Sequence, residues 1–139
     1  RQRLVWGNGM LAIRLVITLL CAVGFYASVF MLRKSVLASR GRLDEDSVVQ
    51  SPRARLFGGV PNALIGVLYY PALAAVSWLG RSHGLLVLAL AAACAAAATS
   101  LFLAYSLLFV TRRSCVYCFV SHAVNLALVP AQLCLLALR

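Results

Sequence analysis

The stretch RRSCVYCFVSH, which begins at Arg112, places two thiols three positions apart at the start of a long apolar segment. At the beginning of a helix, Cys115 and Cys118 would share one face, where free backbone amides and the positive end of the helix dipole favour a thiolate. Arg112 and Arg113 add positive charge, and a thiolate is the species that disulfide exchange requires. His122 follows one helical turn after Cys118 on the same side.

Three interpretations of this Cys-x-x-Cys motif are open. A redox dithiol is favoured, and its natural electron partner in a membrane is a lipid-soluble quinone, whose carbonyl could accept a hydrogen bond from His122. A zinc or copper site would use the same three side chains but lacks a fourth ligand. The motif could also be an incidental pair of small residues. The remaining cysteines lie inside apolar runs, where cysteine is usually a small buried hydrophobe: Cys21, Cys94 and Cys134.

The elements that would position these residues are four apolar runs in a chain of 139 residues. The composition is 63% hydrophobic with only 12% charged residues, too few charges for the surface of a soluble domain of this size. Each run is long enough to cross a bilayer as a helix. The sequence therefore predicts an all-α membrane protein, a single domain over residues 1–139 that forms a four-transmembrane-helix bundle. The helices are expected at about residues 10–32, 60–80, 85–110 and 115–138.

One long extramembrane loop, residues 33–59, connects the first two predicted helices. Because an odd number of crossings precedes both this loop and the Cys-x-x-Cys motif, the two share one face of the membrane. Asn62 follows the loop at the start of the second helix. It is either a helix cap, a residue with an interhelical hydrogen bond, or a donor to a ligand at the depth of Cys118.

The net charge of +10 lies beside apolar runs. This arrangement favours anionic membrane lipid as a partner. It argues against nucleic acid, because no basic stripe is interleaved with aromatic residues.

The order of these features resembles the vitamin K epoxide reductase family, including bacterial members that do the work of the disulfide-forming enzyme DsbB. The shared pattern is a helix, a long loop, PNALIG, two helices with short links, and CVYCFVSHAVNLAL. The resemblance implies a quinone, ubiquinone or menaquinone, inside the bundle, with Cys118 facing it and Asn62 bonding one of its oxygens. His122 falls where the family often has a tyrosine or another polar residue on the opposite side of the quinone. Cys115 would exchange disulfides with a thioredoxin-fold carrier protein.

One departure from the family pattern lies in the loop sequence LDEDSVVQS, where the family usually carries a second cysteine pair. Leu43 and Ser51 occupy those positions, so a relay through loop cysteines cannot run. A partner thiol would then reach Cys115 directly, with Phe57 and its neighbours forming a lid over the quinone. The alternative is a non-catalytic quinone-binding or membrane-complex subunit of the same fold. We expect direct exchange.

The resemblance also implies a location: an integral protein of the bacterial inner membrane, with the dithiol facing the periplasm or the exterior. Disulfides persist in such oxidising compartments. The distribution of basic residues points the other way, because more of them lie on the dithiol face, and positive-inside counting would place that face in the cytoplasm. We expect the family orientation.

Overall fold

A computed structural model describes residues 2–42, 55–56, 59–112 and 115–138 of the chain. Four residues for which the sequence predicts roles lie outside the described residues: Leu43, Ser51, Phe57 and Arg113. The elements, in chain order, are α1 (Gln2–Ser39), β1 (Arg55–Leu56), β2 (Val60–Pro61), α2 (Asn62–Leu79), α3 (His83–Tyr105), a π-helical segment (Ser106–Thr111) and α4 (Val116–Ala137).

Four helices within the described ranges are long and apolar enough to cross a membrane, which confirms the predicted all-α four-helix architecture. α1 packs against both α2 and α4, and α3 packs against α4, whereas α2 and α3 touch sparsely. α2 and α4 therefore face each other across the interior of the bundle. Apolar side chains such as Ile17, Leu73 and Leu128 form the core between them.

α1 is longer than its apolar run predicts. Its 38 residues span about 57 Å at 1.5 Å per residue, against about 30 Å for the hydrocarbon core of a bilayer. The helix continues into the start of the predicted loop, because residues 33–40 contain neither glycine nor proline. Gly41 has a φ of 66°. Its amide donates to Ala38 O, and the amide of Arg42 donates to Leu37 O, both at 3.1 Å, as in a Schellman motif.

Small residues allow α1 and α2 to approach closely. Gly24 of α1 lies against the ring of Tyr70, and a Cβ at Gly24 would overlap that ring. One turn nearer the start of α2, Gly66 lies against the side chain of Ser28 in the same way. The close approach leaves Tyr70 2% exposed, so a large side chain with a polar tip is held inside the bundle.

The connections that lead into α2 and α4 differ in form. β1 and β2 pair antiparallel, and Pro61 at the end of β2 is the N-cap of α2, with φ −60° and ψ 132°. At the other entry, α3 continues into the π-helical segment, and Arg112 then adopts a left-handed conformation with φ 49°. By the alternation of crossings, both connections lie on the same face of the membrane.

Candidate active site

The two cysteines of the Cys-x-x-Cys motif form a disulfide at the head of α4. Their Cα atoms are 5.2 Å apart. Cys115 is the N-cap residue, in an extended conformation with φ −132° and ψ 102°. Its sulfur accepts a hydrogen bond from the amide of Cys118 at 3.3 Å, which satisfies one of the free amides of the first turn. The disulfide thus lies where the helix dipole favours negative charge on sulfur.

α1 holds the motif from the side through sulfur and aromatic contacts. The sulfur of Met31 lies 3.8 Å from that of Cys115. Phe30 stacks on Tyr117, the residue directly before Cys118, with ring centroids 3.9 Å apart and planes at 23°. These contacts fix the orientation of the first turn of α4 against α1.

Two hydrogen bonds between α2 and α4 show which residues of the two helices lie at the same depth in the bundle. Tyr70 donates a hydrogen bond to Asn125 at 3.0 Å, and seven positions later along both helices Gln132 donates to Ser77 at 2.9 Å. The two helices therefore run parallel in a constant register.

This register places Asn62 at the depth of the disulfide. Asn62 lies eight positions before Tyr70, and Tyr117 lies eight positions before Asn125. Asn62 is partly buried and is the first residue of α2. It is therefore level with the Cys-x-x-Cys turn, on the helix that faces α4 across the interior.

Two buried polar atoms belong to residues that lie deeper, about one turn below the Cys-x-x-Cys turn for His122 and about two turns below it for Tyr69. The Nδ1 atom of His122 and the hydroxyl oxygen of Tyr69 are buried and have no hydrogen-bond partner among the described residues. By the register, His122 is level with Val67, two positions before Tyr69 in α2. Buried polar atoms in proteins are normally paired. Each of these two atoms is therefore available for a hydrogen bond to a further polar group.

A hydrogen-bonded chain of side chains closes the site from below. Tyr70 donates to Asn125, and the side-chain amide of Asn125 donates to Ser100 of α3 at 2.8 Å. The chain links α2, α4 and α3 across the interior. The sequence pattern does not predict this chain of hydrogen bonds, although Asn125 lies three positions after His122 on the same stripe of α4.

Basic side chains concentrate on the dithiol face. The described ones are Arg33, Lys34, Arg40, Arg42, Arg55 and Arg112. Lys34 places Nζ 5.5 Å from the ring centroid of Phe30, the ring that stacks on the motif. Within the described ranges, no three histidine, cysteine or carboxylate side chains come together as a metal ion would need.

The fold and the disulfide together define a class of protein: a four-helix membrane protein with a redox-capable cysteine pair at one end of its bundle. The sequence model of the Vitamin K epoxide reductase family matches residues 15–133, which is most of the chain. The chain therefore belongs to this family. Its members are membrane oxidoreductases that work with disulfides and quinones in general. No curated protein matches the chain.

Proposed function

We propose that this protein oxidises the dithiol of a thioredoxin-fold partner and delivers the two electrons to a quinone, ubiquinone or menaquinone. The observation that carries the proposal is the disulfide between Cys115 and Cys118 at the head of α4. Asn62 lies at the same depth and His122 one turn below. A reversible disulfide beside a polar intramembrane site is what this two-substrate reaction requires.

The exchange step takes place at Cys115. A partner thiolate attacks the sulfur of Cys115 to form a mixed disulfide, and Cys118 leaves as a thiolate. The second partner thiolate then attacks the partner sulfur of this mixed disulfide. The oxidised partner departs, and Cys115 leaves as the second thiolate. The partner has lost two electrons and two protons, and the Cys115–Cys118 dithiol has gained them. The position of Cys115 outside the helix, three residues after Arg112, supports it as the attacked sulfur.

Asn62 and His122 are the residues we propose to hold the quinone. The buried Nδ1 of His122 and the hydroxyl of Tyr69 fit a ligand with carbonyl oxygens, because both atoms are without a partner among the described residues. Asn62 would donate its amide N–H to one oxygen, and His122 would hold a proton on its imidazole near the other. When bound, the quinone accepts the two electrons and two protons that the dithiol releases as the disulfide re-forms.

The packing of the helices supports access from the membrane. α2 and α3 touch sparsely, whereas the other neighbouring pairs pack along their lengths. A lipid-soluble substrate that enters from the side needs such a weakly packed seam. We propose the seam between α2 and α3 as its route.

We propose that the dithiol faces the periplasm or the exterior of a bacterial inner membrane. A disulfide that is re-formed in each cycle works in an oxidising compartment, and thioredoxin-fold carriers that need reoxidation act there.

A second candidate function is a quinone-binding or membrane-complex subunit without turnover. The observation that favours it is the sequence at positions 43 and 51, where leucine and serine replace the cysteines that the family usually carries. Without them, electrons can reach Cys115 only from another molecule.

Quinone reduction by the purified protein with a dithiol donor separates the two candidates. We expect turnover in the wild type and none in Cys118→Ala. Cys134→Ala is the matched control, because Cys134 is on the same helix, exposed and outside the motif, and it should turn over as the wild type does. Absent turnover would support the non-catalytic candidate instead, and turnover that survives Cys118→Ala would exclude the Cys115–Cys118 pair as the redox centre.

A trapping experiment tests direct exchange. Cys118→Ala, incubated with the oxidised form of the partner, should accumulate a mixed disulfide by the reverse of the exchange step: the Cys115 thiolate attacks the partner's disulfide and one partner thiolate leaves. Cys115→Ala should form no such adduct. If the wild type is inactive and gains activity only when Leu43→Cys and Ser51→Cys are introduced together, direct exchange is wrong.

A further inference from the structure

Arg14 lies in the groove between α1 and α2 at the end of the bundle far from the dithiol. Its guanidinium carbon is 5.7 Å from the centroid of the Trp78 ring. The indole N–H of Trp78 donates to Thr18 at 2.8 Å, and the Thr18 hydroxyl donates to the backbone carbonyl of Arg14 at 2.8 Å. These bonds fix the ring beneath the guanidinium, so the position of the charge is set by α1 and α2 together.

Among the described residues, no carboxylate side chain accompanies the charge of Arg14. The three acidic residues of the chain all lie at positions 44–46, outside the described residues. The Nε atom of Arg14 is buried and has no hydrogen-bond partner among the described residues. A buried guanidinium N–H without an acceptor is costly. A further acceptor near the guanidinium would stabilise it, and another molecule can supply one.

The depth of Arg14 shows which layer of the membrane would surround it. Thr18 is level with Trp78, one residue before α2 ends at Leu79. Arg14 lies a further turn toward the start of α1. The guanidinium is thus at the boundary of the apolar layer, where phospholipid headgroups lie and where tryptophan is commonly found. Trp78 keeps 40% of its surface exposed, so the site is open to lipid.

We propose that Arg14 and Trp78 form a binding site for the phosphate of an anionic phospholipid. The guanidinium donates to the phosphate oxygens, for which its planar fork is suited. The side chains of Leu11, Leu15 and Leu79 are exposed and lie within one helical turn of Arg14 or Trp78 along the sequence, where they would contact the acyl chains. The site is independent of the quinone and the dithiol, because it lies at the opposite end of the bundle.

Tryptophan fluorescence reports directly on this site. The chain has two tryptophans, so Trp6→Phe leaves Trp78 as the single reporter. We would titrate the purified Trp6→Phe protein, in a nonionic detergent, with phosphatidylglycerol or phosphatidylcholine carrying the same brominated acyl chains. Quenching of Trp78 should reach half its maximum at about tenfold lower phosphatidylglycerol than phosphatidylcholine, as a charge-assisted hydrogen bond implies.

Three variants in the Trp6→Phe background locate the preference. Arg14→Gln should abolish it. Arg14→Lys should retain part of it, because lysine keeps the charge but lacks the planar fork. Arg33→Gln is the matched control, since it removes one exposed arginine at the other end of α1, and it should keep the full preference.

Several results would overturn the proposal. Equal quenching by the two lipids in the Trp6→Phe protein would do so whether or not the Arg14 variants fold. An unchanged preference in Arg14→Gln, or a loss of preference in Arg33→Gln, would show that general surface charge attracts the lipid. If inorganic phosphate at millimolar concentration displaces brominated phosphatidylglycerol completely, the site binds a soluble anion and not a lipid.

Discussion

Asn125 joins three helices through one side chain. Its carbonyl oxygen accepts from Tyr70 and its amide donates to Ser100, so its replacement leaves two hydroxyl groups without this partner. We expect Asn125→Leu, which keeps the volume, to lower the free energy of unfolding by about 1–3 kcal/mol. Unfolding of the purified protein in mixed micelles with rising dodecyl sulfate measures this change.

The control for Asn125 is Ser100→Ala, which removes one of the two hydrogen bonds. Single interhelical hydrogen bonds in membranes contribute about 0.6 kcal/mol on average, so this variant should lose clearly less stability. A loss in Ser100→Ala equal to that in Asn125→Leu would contradict the role of Asn125 as the link.

His122 affords a test of quinone binding that is separate from disulfide exchange. His122→Phe removes the imidazole nitrogens, and we expect the KM for quinone to rise about tenfold or more, as for a lost hydrogen bond in a buried site. The rate of mixed-disulfide formation at Cys115 should not change. His122→Tyr restores a donor and should recover most of the affinity.

The chain's other histidine, His83, is the control for His122. It lies exposed at the start of α3, at the far end of the bundle. His83→Phe should leave the KM for quinone as in the wild type. An equal effect of the two substitutions would remove His122 from the quinone site.

Local spacing explains which site residues the sequence could predict. Cys115, Cys118 and His122 lie within two turns of one helix, so helical periodicity alone places them on one stripe. Tyr69 and Asn125 could not be found in this way. Their environment depends on the register between α2 and α4, which is set by packing between residues far apart in the chain.

At the scale of elements, the closest approach in the bundle is that of Gly24 to the ring of Tyr70. A methyl group at Gly24 would overlap this ring, which is packed in the core and cannot withdraw. We expect Gly24→Ala to destabilise the protein by about 1–3 kcal/mol, as overpacking does. The same dodecyl sulfate titration measures it.

Gly84→Ala is the matched substitution for Gly24→Ala. A Cβ at Gly84, in the first turn of α3, would meet nothing within 4 Å. Alanine in an open helical position is favoured over glycine by about 0.5–1 kcal/mol, so this variant should be as stable as the wild type or more so. If both variants behave alike, the close approach of α1 to α2 does not constrain the bundle.

The number and order of the helices followed from the lengths of the apolar runs, but the end of α1 did not. Arginine and lysine after residue 32 suggest the end of a membrane span, and they do not stop a helix. α1 ends at Ser39, and two residues later the left-handed conformation of Gly41 allows the Schellman hydrogen bonds. The length of an apolar run predicts how much of a helix lies inside the bilayer. The backbone conformation of the residues that follow determines where the helical hydrogen bonds end.

At the scale of the whole molecule, four crossings place the two ends of α1 on opposite sides of the membrane. Ser39 at the end of α1 and Ser82 between α2 and α3 are both exposed. With Ser39→Cys and Ser82→Cys introduced separately, a membrane-impermeant maleimide added to intact cells should label Ser39→Cys alone. This result would place the dithiol face outside, in the proposed orientation.

Two other labelling patterns have distinct meanings. Labelling of Ser82→Cys alone would reverse the orientation and agree with the excess of basic residues on the dithiol face. Labelling of both variants from outside would contradict a four-span arrangement. The unmodified chain, whose exposed Cys94 and Cys134 lie within the apolar spans, is the background control.

The disulfide at the head of α4 joins two cysteines that are three positions apart in the sequence. It joins the N-cap to the first turn of the same helix and connects no two helices. The bundle is instead held by packing and by side-chain hydrogen bonds at other depths. Under the proposed function, opening and closing this bond would therefore leave the packing between the helices unchanged, and each cycle would proceed without a partly unfolded form.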